Sequence, residues 1–374
     1  MTERTKPPFR ADHVGSLLRP QKLRDARDAF QRKALSREDL TKVEDEAIRE
    51  VVKLQEDIGL KLATDGEFRR KEWHMDFLTS FVNVTRVPSS IKMRFHTHEG
   101  DTEVSPEALK IVGKLSRPRG IFVDHFKFVK SVTKVTPKQT IPSPTLMHFR
   151  GGRGAVDAAA YPEMEQFFAD LARVYNEEIQ DLAAAGCRYL QIDETNFAYL
   201  CDPTLRAQVK TNIGEDPEKL MHTYGKLISD AVAKRPADMT VCMHICRGNN
   251  QSAWVAEGGY DPVAEVMFNE VKIDGFFLEY DTPRAGDFTP LRFVPKGKLV
   301  ILGLVTTKEA KLESKDELKR RIDEAAKYVP IEQLCLSPQC GFSSTVEGNK
   351  VTVQDQIAKL RLVVDVAREV WGSA

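Results

Sequence analysis

The chain of 374 residues lacks a net charge, a long apolar run and a disulfide-like pattern of cysteines. Lys and Arg total 55, as do Asp and Glu, so the basic excess of a nucleic-acid or membrane-surface protein is missing. No apolar run approaches the roughly 18–20 residues that span a bilayer, and the polar residues 1–7 lack a signal-peptide apolar region. The six scattered cysteines are typical of a reducing cytoplasm, where a cysteine serves as a ligand or nucleophile. These absences predict a cytoplasmic protein that binds neither nucleic acid nor membranes.

Strands and helices alternate along most of the chain. Apolar, β-prone runs predict eight strands, near residues 9–16, 60–63, 140–147, 189–192, 239–243, 273–278, 299–304 and 334–339. Helices are predicted near residues 21–58 (with a charged turn near Ser36), 162–185, 217–234, 261–269, 314–328 and 352–371. Eight such units favour an α/β fold, a single (β/α)8 TIM barrel domain over residues 1–374 with its active site at the C-terminal strand ends. A doubly wound open sheet is the alternative.

Residues 80–137 interrupt this alternation. They contain many turn residues and short β-prone pieces, including residues 122–123 and 126–129. We interpret them as a β-prone excursion inserted into the single domain. A lid, or part of a substrate site, is a hypothesis for its role.

Four candidate metal ligands stand at the ends of three predicted strands. His244 and Cys246 follow one apolar run and are two positions apart, so their side chains point the same way on an extended chain. Glu279 and Cys340 each close another run. One nitrogen, two sulfurs and one carboxylate suit Zn²⁺ better than Mg²⁺ or Ca²⁺. Each residue taken alone also fits a packed core side chain, but the set at one barrel face predicts a zinc site.

A zinc ion held by thiolates suits the activation of a substrate thiol. A free thiol has a pKa of about 8.5, and coordination removes its proton outright. The result is a nucleophile for a carbon electrophile at neutral pH. Because catalysis needs an open position on the metal, we expect Glu279 to be the ligand that yields to the incoming thiolate.

Other polar residues gather at the predicted strand ends. These candidates are His13, Ser16, Asp65, Glu67, Asp193 and Glu194. Their carboxylates are suited to neutralise a substrate ammonium group or to support metal ligands. For Glu67, a solvated loop that pairs with Arg69 and Arg70 is the alternative.

Together these motifs resemble the catalytic C-terminal barrel of the cobalamin-independent methionine synthases. His244 and Cys246 are similar to that family's His-x-Cys zinc motif. Glu279 and the Ser-Pro-Gln-Cys-Gly segment around Cys340 resemble its third and fourth ligands. The resemblance extends from about residue 10 to residue 371.

The resemblance also implies roles in substrate binding. The Val-Gly-Ser segment ending at Ser16 and the Asp-Gly-Glu segment ending at Glu67 resemble those that hold the homocysteine carboxylate and amine. Asp193, in a Gln-Ile-Asp-Glu segment, resembles the aspartate that binds the amino group. The implied reaction is methyl transfer to homocysteine to give methionine.

Two features depart from the family pattern. The chain has no room for the additional N-terminal barrel that contributes to binding the folate polyglutamate. Residues 303–308 also contain no histidine, where the family has one implicated in protonating the departing folate. His13 and His148 are the candidates for that role. Thiol activation is unaffected by either departure, whereas the methyl donor is left open.

Three hypotheses follow for the function. The first is a zinc-dependent methyltransferase that acts on a small thiol and takes its methyl group from a methylated folate, a methyl-corrinoid or another small methyl compound. The second resembles the epoxyalkane:coenzyme M transferases, with a sulfonate bound by Arg247, Arg69 and Arg70. The third is a non-catalytic barrel whose zinc is structural. A homo-oligomer is compatible with each of them.

Overall fold

The computed structural model describes residues 4–89, 93–97 and 100–374, except for the side chain of Asn212. The chain has an α/β fold. Its strands are β1 (Leu62–Ala63), β2 (Val82–Val87), β3 (Met93–Thr97), β4 (Gly100–Val104), β5 (Ala108–Ser116), β6 (Thr136–Pro137), β7 (Gln139–Pro142), β8 (Tyr189–Glu194), β9 (Thr240–Ile245), β10 (Gly275–Glu279), β11 (Leu299–Val305) and β12 (Leu334–Pro338).

The helices surround these strands. They are α1 (Gln21–Gln31), α2 (Arg37–Ile58), α3 (Met75–Leu78), α4 (Val123–Val132), α5 (Met164–Ala184), α6 (Asn196–Tyr199), α7 (Pro203–Asn212), α8 (Pro217–Val232), α9 (Asp261–Asn269), α10 (Lys315–Ala325) and α11 (Val353–Trp371). All six predicted helical regions are confirmed, and Ser36, at the predicted turn, caps α2 by accepting a hydrogen bond from the Asp39 amide. Among the described residues, no helix combines the length and apolarity needed to cross a bilayer.

Six strands form the central parallel sheet. Strands β7 to β12 lie side by side in their order along the chain. In a parallel sheet each connection must return to the end at which the previous strand began. The C-terminal ends of the six strands therefore all lie on one side of the sheet. The register places Asp193 of β8 opposite His244 of β9. Residues that follow these strands are therefore brought to a common region.

The first two predicted strands are shorter than expected. Strand β1 pairs in parallel with β6, which Lys138 alone separates from β7. The segment 9–16 is extended, but its ladder is reduced to a single parallel bridge between Ala11 and Leu336 of β12. A backbone hydrogen bond of 3.2 Å from Leu17 to Gly66 connects the regions that follow these two segments.

A small apolar cluster lies apart from the main core. Its members are Phe9, Val14, Leu62, Tyr189, Cys242, Phe277, Ile301 and Cys335. Seven of the eight predicted strand regions contribute to it, and Lys138, between β6 and β7, places its Nζ 4.2 Å from the centre of the Phe277 ring. The charge of Lys138 is balanced by Asp12, whose carboxylate lies 2.9 Å away. This cluster buries Cys242 and Cys335, two cysteines that are not candidate metal ligands.

Two predictions of strand structure are wrong. The β-prone pieces 122–123 and 126–129 belong to α4 and its N-cap residue Phe122, because Phe122, Phe126 and Val129 recur at a helical period and are all buried. Strand β7 stops at Pro142 rather than near residue 147, and Pro144–Met147 forms a 3-10 turn. Proline has no amide to continue a ladder, which explains the early stop. The excursion is otherwise β-rich, as predicted, with β2 antiparallel to β5 and β3 antiparallel to β4.

Candidate metal centre

The four candidate ligands converge at the C-terminal side of the sheet. His244 lies in β9, Cys246 follows that strand, Glu279 is the last residue of β10, and Cys340 follows β12. One ligand atom from each residue lies within 4.8 Å of the corresponding atoms of the others. Residues that are 96 positions apart along the chain (244 and 340) therefore form one compact donor set.

The contacts within this set leave room for a cation. The Sγ atoms of Cys246 and Cys340 are 3.6 Å apart, well beyond the roughly 2.05 Å of a disulfide bond. His244 is 2% exposed, and neither of its ring nitrogens has a hydrogen-bond partner among the described residues. A buried polar group without a partner costs about 1–3 kcal/mol. A bound metal ion would relieve that cost.

The acidic groups of this cluster shift one another's pKa values. The hydrogen bond with Cys246 holds the pKa of the Cys340 thiol well below its ordinary value, with His244 acting in the same direction and burial opposing. The same hydrogen bond and burial raise the pKa of Cys246 well above its ordinary value. Burial and the neighbouring Cys340 also raise the pKa of Glu279. Negative charges crowd one another in this cluster, as expected where a cation belongs.

Glu279 has partners of its own outside the donor set. Its Oε1 accepts a hydrogen bond of 2.8 Å from the Arg247 amide. Its Oε2 lies 3.5 Å from Nη2 of Arg284, which also binds Asp281 at 2.7 Å. The side chain is fully buried. The Glu279 carboxylate therefore has a cationic partner that does not depend on a bound metal.

A cavity of about 450 Å³ opens onto this cluster. His244, Cys246 and Cys340 line it, and so do the predicted substrate residues Ser16, Glu67 and Asp193. Sequence reasoning therefore selected two groups of residues that share one cavity. The fourth candidate ligand, Glu279, lies behind the cavity wall rather than on it.

The two carboxylates of the substrate group are held by different contacts. Glu67 adopts a left-handed backbone with φ of 63°, and its Oε1 is 3.0 Å from the Thr140 hydroxyl and 3.3 Å from Nη1 of Arg70. Asp193 accepts a hydrogen bond of 2.6 Å from Gln191. Burial, with the nearby Glu67, raises the pKa of Asp193 to about 7. A cation in this part of the cavity would stabilise the ionised form of Asp193.

Ser16 packs tightly against the loop that carries Cys340. A Cβ added to Gly341 would lie 1.9 Å from the Ser16 Oγ, so only glycine fits beside this hydroxyl. The Phe342 amide also donates a hydrogen bond of 3.0 Å to the Ser16 carbonyl. The segment of Ser16 and a candidate metal ligand are thus fixed to one another.

The two candidate histidines are not among the described residues that line the cavity. The Nε2 of His13 is 2.9 Å from the side-chain oxygen of Gln55, and burial lowers the pKa of His13 to about 3. The Nδ1 of His148 is 2.9 Å from the Tyr224 hydroxyl, and burial lowers the pKa of His148 to about 4. Both rings are neutral near pH 7 and hold neighbouring segments together.

Asp65 and Glu194 also lie outside the cavity lining that the structure describes. Asp65 accepts a hydrogen bond of 2.8 Å from the Glu67 amide and so shapes the turn that presents Glu67. Glu194 accepts bonds of 2.6 Å from the Thr145 hydroxyl and 3.3 Å from the Phe197 amide. These contacts support local backbone rather than the four candidate ligands.

Sequence reasoning missed the cavity wall that comes from the excursion and the loop before α3. Residues such as Trp73, His74, Phe95 and Val104 line the cavity. Strand β3 is attached beside it through two backbone hydrogen bonds between His96 and Trp254, of 2.7 and 3.0 Å. No local pattern marks these residues, but Phe95 and Val104 lie within the predicted excursion at residues 80–137.

Comparisons with known proteins extend over the whole described site. The model of the family "Cobalamin-independent synthase, Catalytic domain" matches residues 9–369. YxjH of Bacillus subtilis, an uncharacterized protein, is 45% identical over 368 residues, which cover 98% of this chain and 96% of that protein. A crystal structure of a Listeria monocytogenes protein, provisionally named a vitamin-B12 independent methionine synthase, is 37% identical, with a TM-score of 0.75 over 99% of this chain and 100% of that one.

A more distant structure shares the fold. The B12-independent methionine synthase from Shewanella sp. W3-18-1, solved in complex with selenomethionine, has a TM-score of 0.71 at 20% identity, over 96% of this chain and 97% of that one. The family match extends over far more than half of the sequence and includes every candidate ligand. This chain therefore belongs to the family of cobalamin-independent synthase catalytic domains.

Proposed function

We propose that this protein is a zinc-dependent methyltransferase that moves a methyl group onto a small thiol. The observation that carries the proposal is the convergence of one imidazole, two thiols and one carboxylate within 4.8 Å at a cavity. The unpartnered nitrogens of His244 and the depressed pKa of Cys340 fit a divalent cation. When bound, zinc would hold the substrate sulfur as a thiolate and so supply the nucleophile.

The thiol that fits best is homocysteine. Asp193 and Glu67 are two carboxylates on the cavity wall, and together they are suited to bind the ammonium of an amino acid. Ser16 lies in the same cavity, beside the loop of Cys340. Membership in the family supports this assignment, and so does the selenomethionine held by the Shewanella protein, because selenomethionine is a selenium analogue of the expected product.

The fold that we propose for this activity is a (β/α)8 barrel. The bridge between Ala11 and Leu336 joins the N-terminal segment to β12, and β1 continues through β6 to β7. The separate apolar cluster draws on nearly every strand region, as the interior of a closed barrel would. These contacts support closure of the central sheet into a ring with its site at the C-terminal face.

The coenzyme M alternative requires a pocket of arginines that binds a sulfonate, but the three candidate arginines have other partners. Arg69 pairs with Glu44 and Asp45, Arg70 pairs with Glu67, and the Arg247 guanidinium lies 4.5 Å above the ring of Tyr260. None of these arginines is among the described residues that line the cavity. The amino-acid thiol is therefore the preferred substrate.

Removal of the metal should abolish thiol binding without unfolding the protein. The folded core is extensive, so it does not depend on one ion, whereas the substrate sulfur has no other cationic partner in the donor set. We expect calorimetry to detect homocysteine binding to zinc-loaded protein, none after treatment with a chelator, and recovery with Zn²⁺ but not with Mg²⁺. Circular dichroism would be the control. Equal homocysteine binding with and without metal would refute the proposal, and melting on chelation would indicate a structural site.

A further inference from the structure

A second polar region of the cavity is separate from the residues assigned so far. Arg150 and His74 both line the cavity, and neither belongs to the metal set or to the group formed by Ser16, Glu67 and Asp193. They come from different loops, one before α3 and one after β7. Burial, with the charges of Arg150 and Arg86, lowers the pKa of His74 well below its ordinary value, so the imidazole is neutral near pH 7.

Arg150 is a cation without a countercharge. Within the described part of the chain it makes no ion pair, and its Nη1 donates a hydrogen bond of 3.0 Å to the backbone carbonyl of Glu107. The side chains of Glu107 and Glu72 are instead bound by Arg86, at 2.9 and 3.0 Å. Arg86, rather than Arg150, is therefore the ion-pair partner of these two carboxylates. A guanidinium on a cavity wall that has no carboxylate partner is suited to bind an anionic ligand.

His74 provides an independent sign of a missing ligand. Both of its ring nitrogens are buried, and neither has a hydrogen-bond partner among the described residues. Its ring lies against that of Trp73, with centroids 4.5 Å apart, although the residue as a whole is only partly buried. A buried imidazole is rarely left unpaired in a native protein. A ligand atom that accepts its N–H would complete the site.

The charge of the cavity limits what that ligand is. Five carboxylate residues line it, Glu67, Glu72, Glu107, Asp193 and Glu347, against two cationic residues, Lys71 and Arg150. Arg86 and Arg70 pair with three of these carboxylates, so a polyanionic tail would find only two cations, Lys71 and Arg150, on the described lining. A ligand with a single carboxylate could place that group on Arg150, which has no ion pair within the described chain.

We propose that Arg150 and His74 form a subsite that binds one carboxylate of the methyl donor. The inference rests on the proposed function and names its second substrate: a small methyl compound that carries a carboxylate, rather than a folate with a polyglutamate tail. In the reaction the thiolate sulfur attacks the methyl carbon, the S–CH3 bond forms, the bond to the donor atom breaks, and its electron pair stays on that atom. A sulfonium donor leaves as a neutral thioether. A tertiary amine donor leaves as an anion that takes up the proton released from the thiol.

The subsite can be tested by pairing variants with matched donors. Zinc-loaded protein would be assayed for methyl transfer to homocysteine from S-methylmethionine, from 5-methyltetrahydropteroylmonoglutamate, and from the carboxyl esters of both. For the donor that is used, Arg150→Gln should raise KM for the acid about 10- to 150-fold, the range of a hydrogen bond to a charged group. KM for the ester should change little, and Arg150→Lys should restore part of the loss. Arg320→Gln, on an exposed arginine of α10 that pairs with Glu317, is the control.

The outcomes separate this inference from the proposed function. Homocysteine should bind zinc-loaded Arg150→Gln as it binds the wild type, because its carboxylate is assigned elsewhere. Equal losses for acid and ester, or a loss confined to homocysteine, would overturn the subsite. So would wild-type protein that binds homocysteine but uses neither carboxylate donor. Failure of homocysteine to bind the wild type at all would instead overturn the proposed function.

Discussion

Replacing Cys340 with alanine should remove zinc from the protein and abolish methyl transfer. The Cys340 thiol is one of two sulfurs in the donor set, and its pKa is already held low by its neighbours. Loss of a residue that only supports a ligand costs about 10–100-fold in metal affinity, so loss of a ligand itself should cost more than about 100-fold. Zinc content after dialysis and a competition titration with a chelator would measure the change.

Cys335→Ala is the matched control for this experiment. Cys335 lies on β12, only five positions before Cys340, but it is buried in the separate apolar cluster. Its truncation should lower the free energy of unfolding by about 1 kcal/mol and leave zinc bound. Cys340→Ala protein that retained a full equivalent of zinc would remove Cys340 from the site.

Replacing Asp193 with asparagine should weaken homocysteine binding while zinc stays bound. The carboxylate lies on the cavity wall, and burial next to Glu67 raises its pKa to about 7, so it favours a positive partner. Loss of a charged hydrogen bond of about 1.5–3 kcal/mol corresponds to a roughly 10- to 150-fold rise in Kd. Titration calorimetry with homocysteine would measure it. 4-Mercaptobutanoate, which has no amino group, should bind the variant and the wild type alike.

Replacing Glu194, the adjacent carboxylate, should lower the stability of the protein without weakening homocysteine binding. Glu194 accepts hydrogen bonds from the Thr145 hydroxyl and the Phe197 amide and does not line the cavity within the described chain. Glu194→Gln places an amide N–H against some of these donors, which should lower the free energy of unfolding by about 1–3 kcal/mol. The folded variant should bind homocysteine normally. An unchanged homocysteine affinity in Asp193→Asn would contradict the assignment of Asp193.

Sequence alone located the metal candidates because strand periodicity determines where a side chain points. His244 and Cys246 share a direction on an extended chain, and the parallel sheet brings Glu279 and Cys340 to the same end. The direction of the His13 side chain could not be predicted in this way. It lies in a segment with only one regular bridge, so no period fixed its direction, and its ring contacts Gln55.

Residues from outside the βα units were beyond the reach of local patterns. Phe95 reaches the cavity because the excursion folds back onto the loop of Trp254, a contact between segments far apart in sequence. Arg150 is one of many arginines in the chain, and what distinguishes it is a place on the cavity wall without an ion pair to any described residue. That absence follows from Arg86 holding Glu72 and Glu107, which only the three-dimensional arrangement reveals.

The most direct test of zinc-thiolate chemistry is zinc K-edge absorption on the purified protein, before and after addition of homocysteine. The donor set of His244, Cys246, Glu279 and Cys340 predicts a shell of two sulfurs and two lighter atoms. Homocysteine should add a third sulfur, with Glu279 as the ligand that departs. A shell that is unchanged by homocysteine, or a protein that binds no zinc, would contradict the central claim that this site activates a thiol.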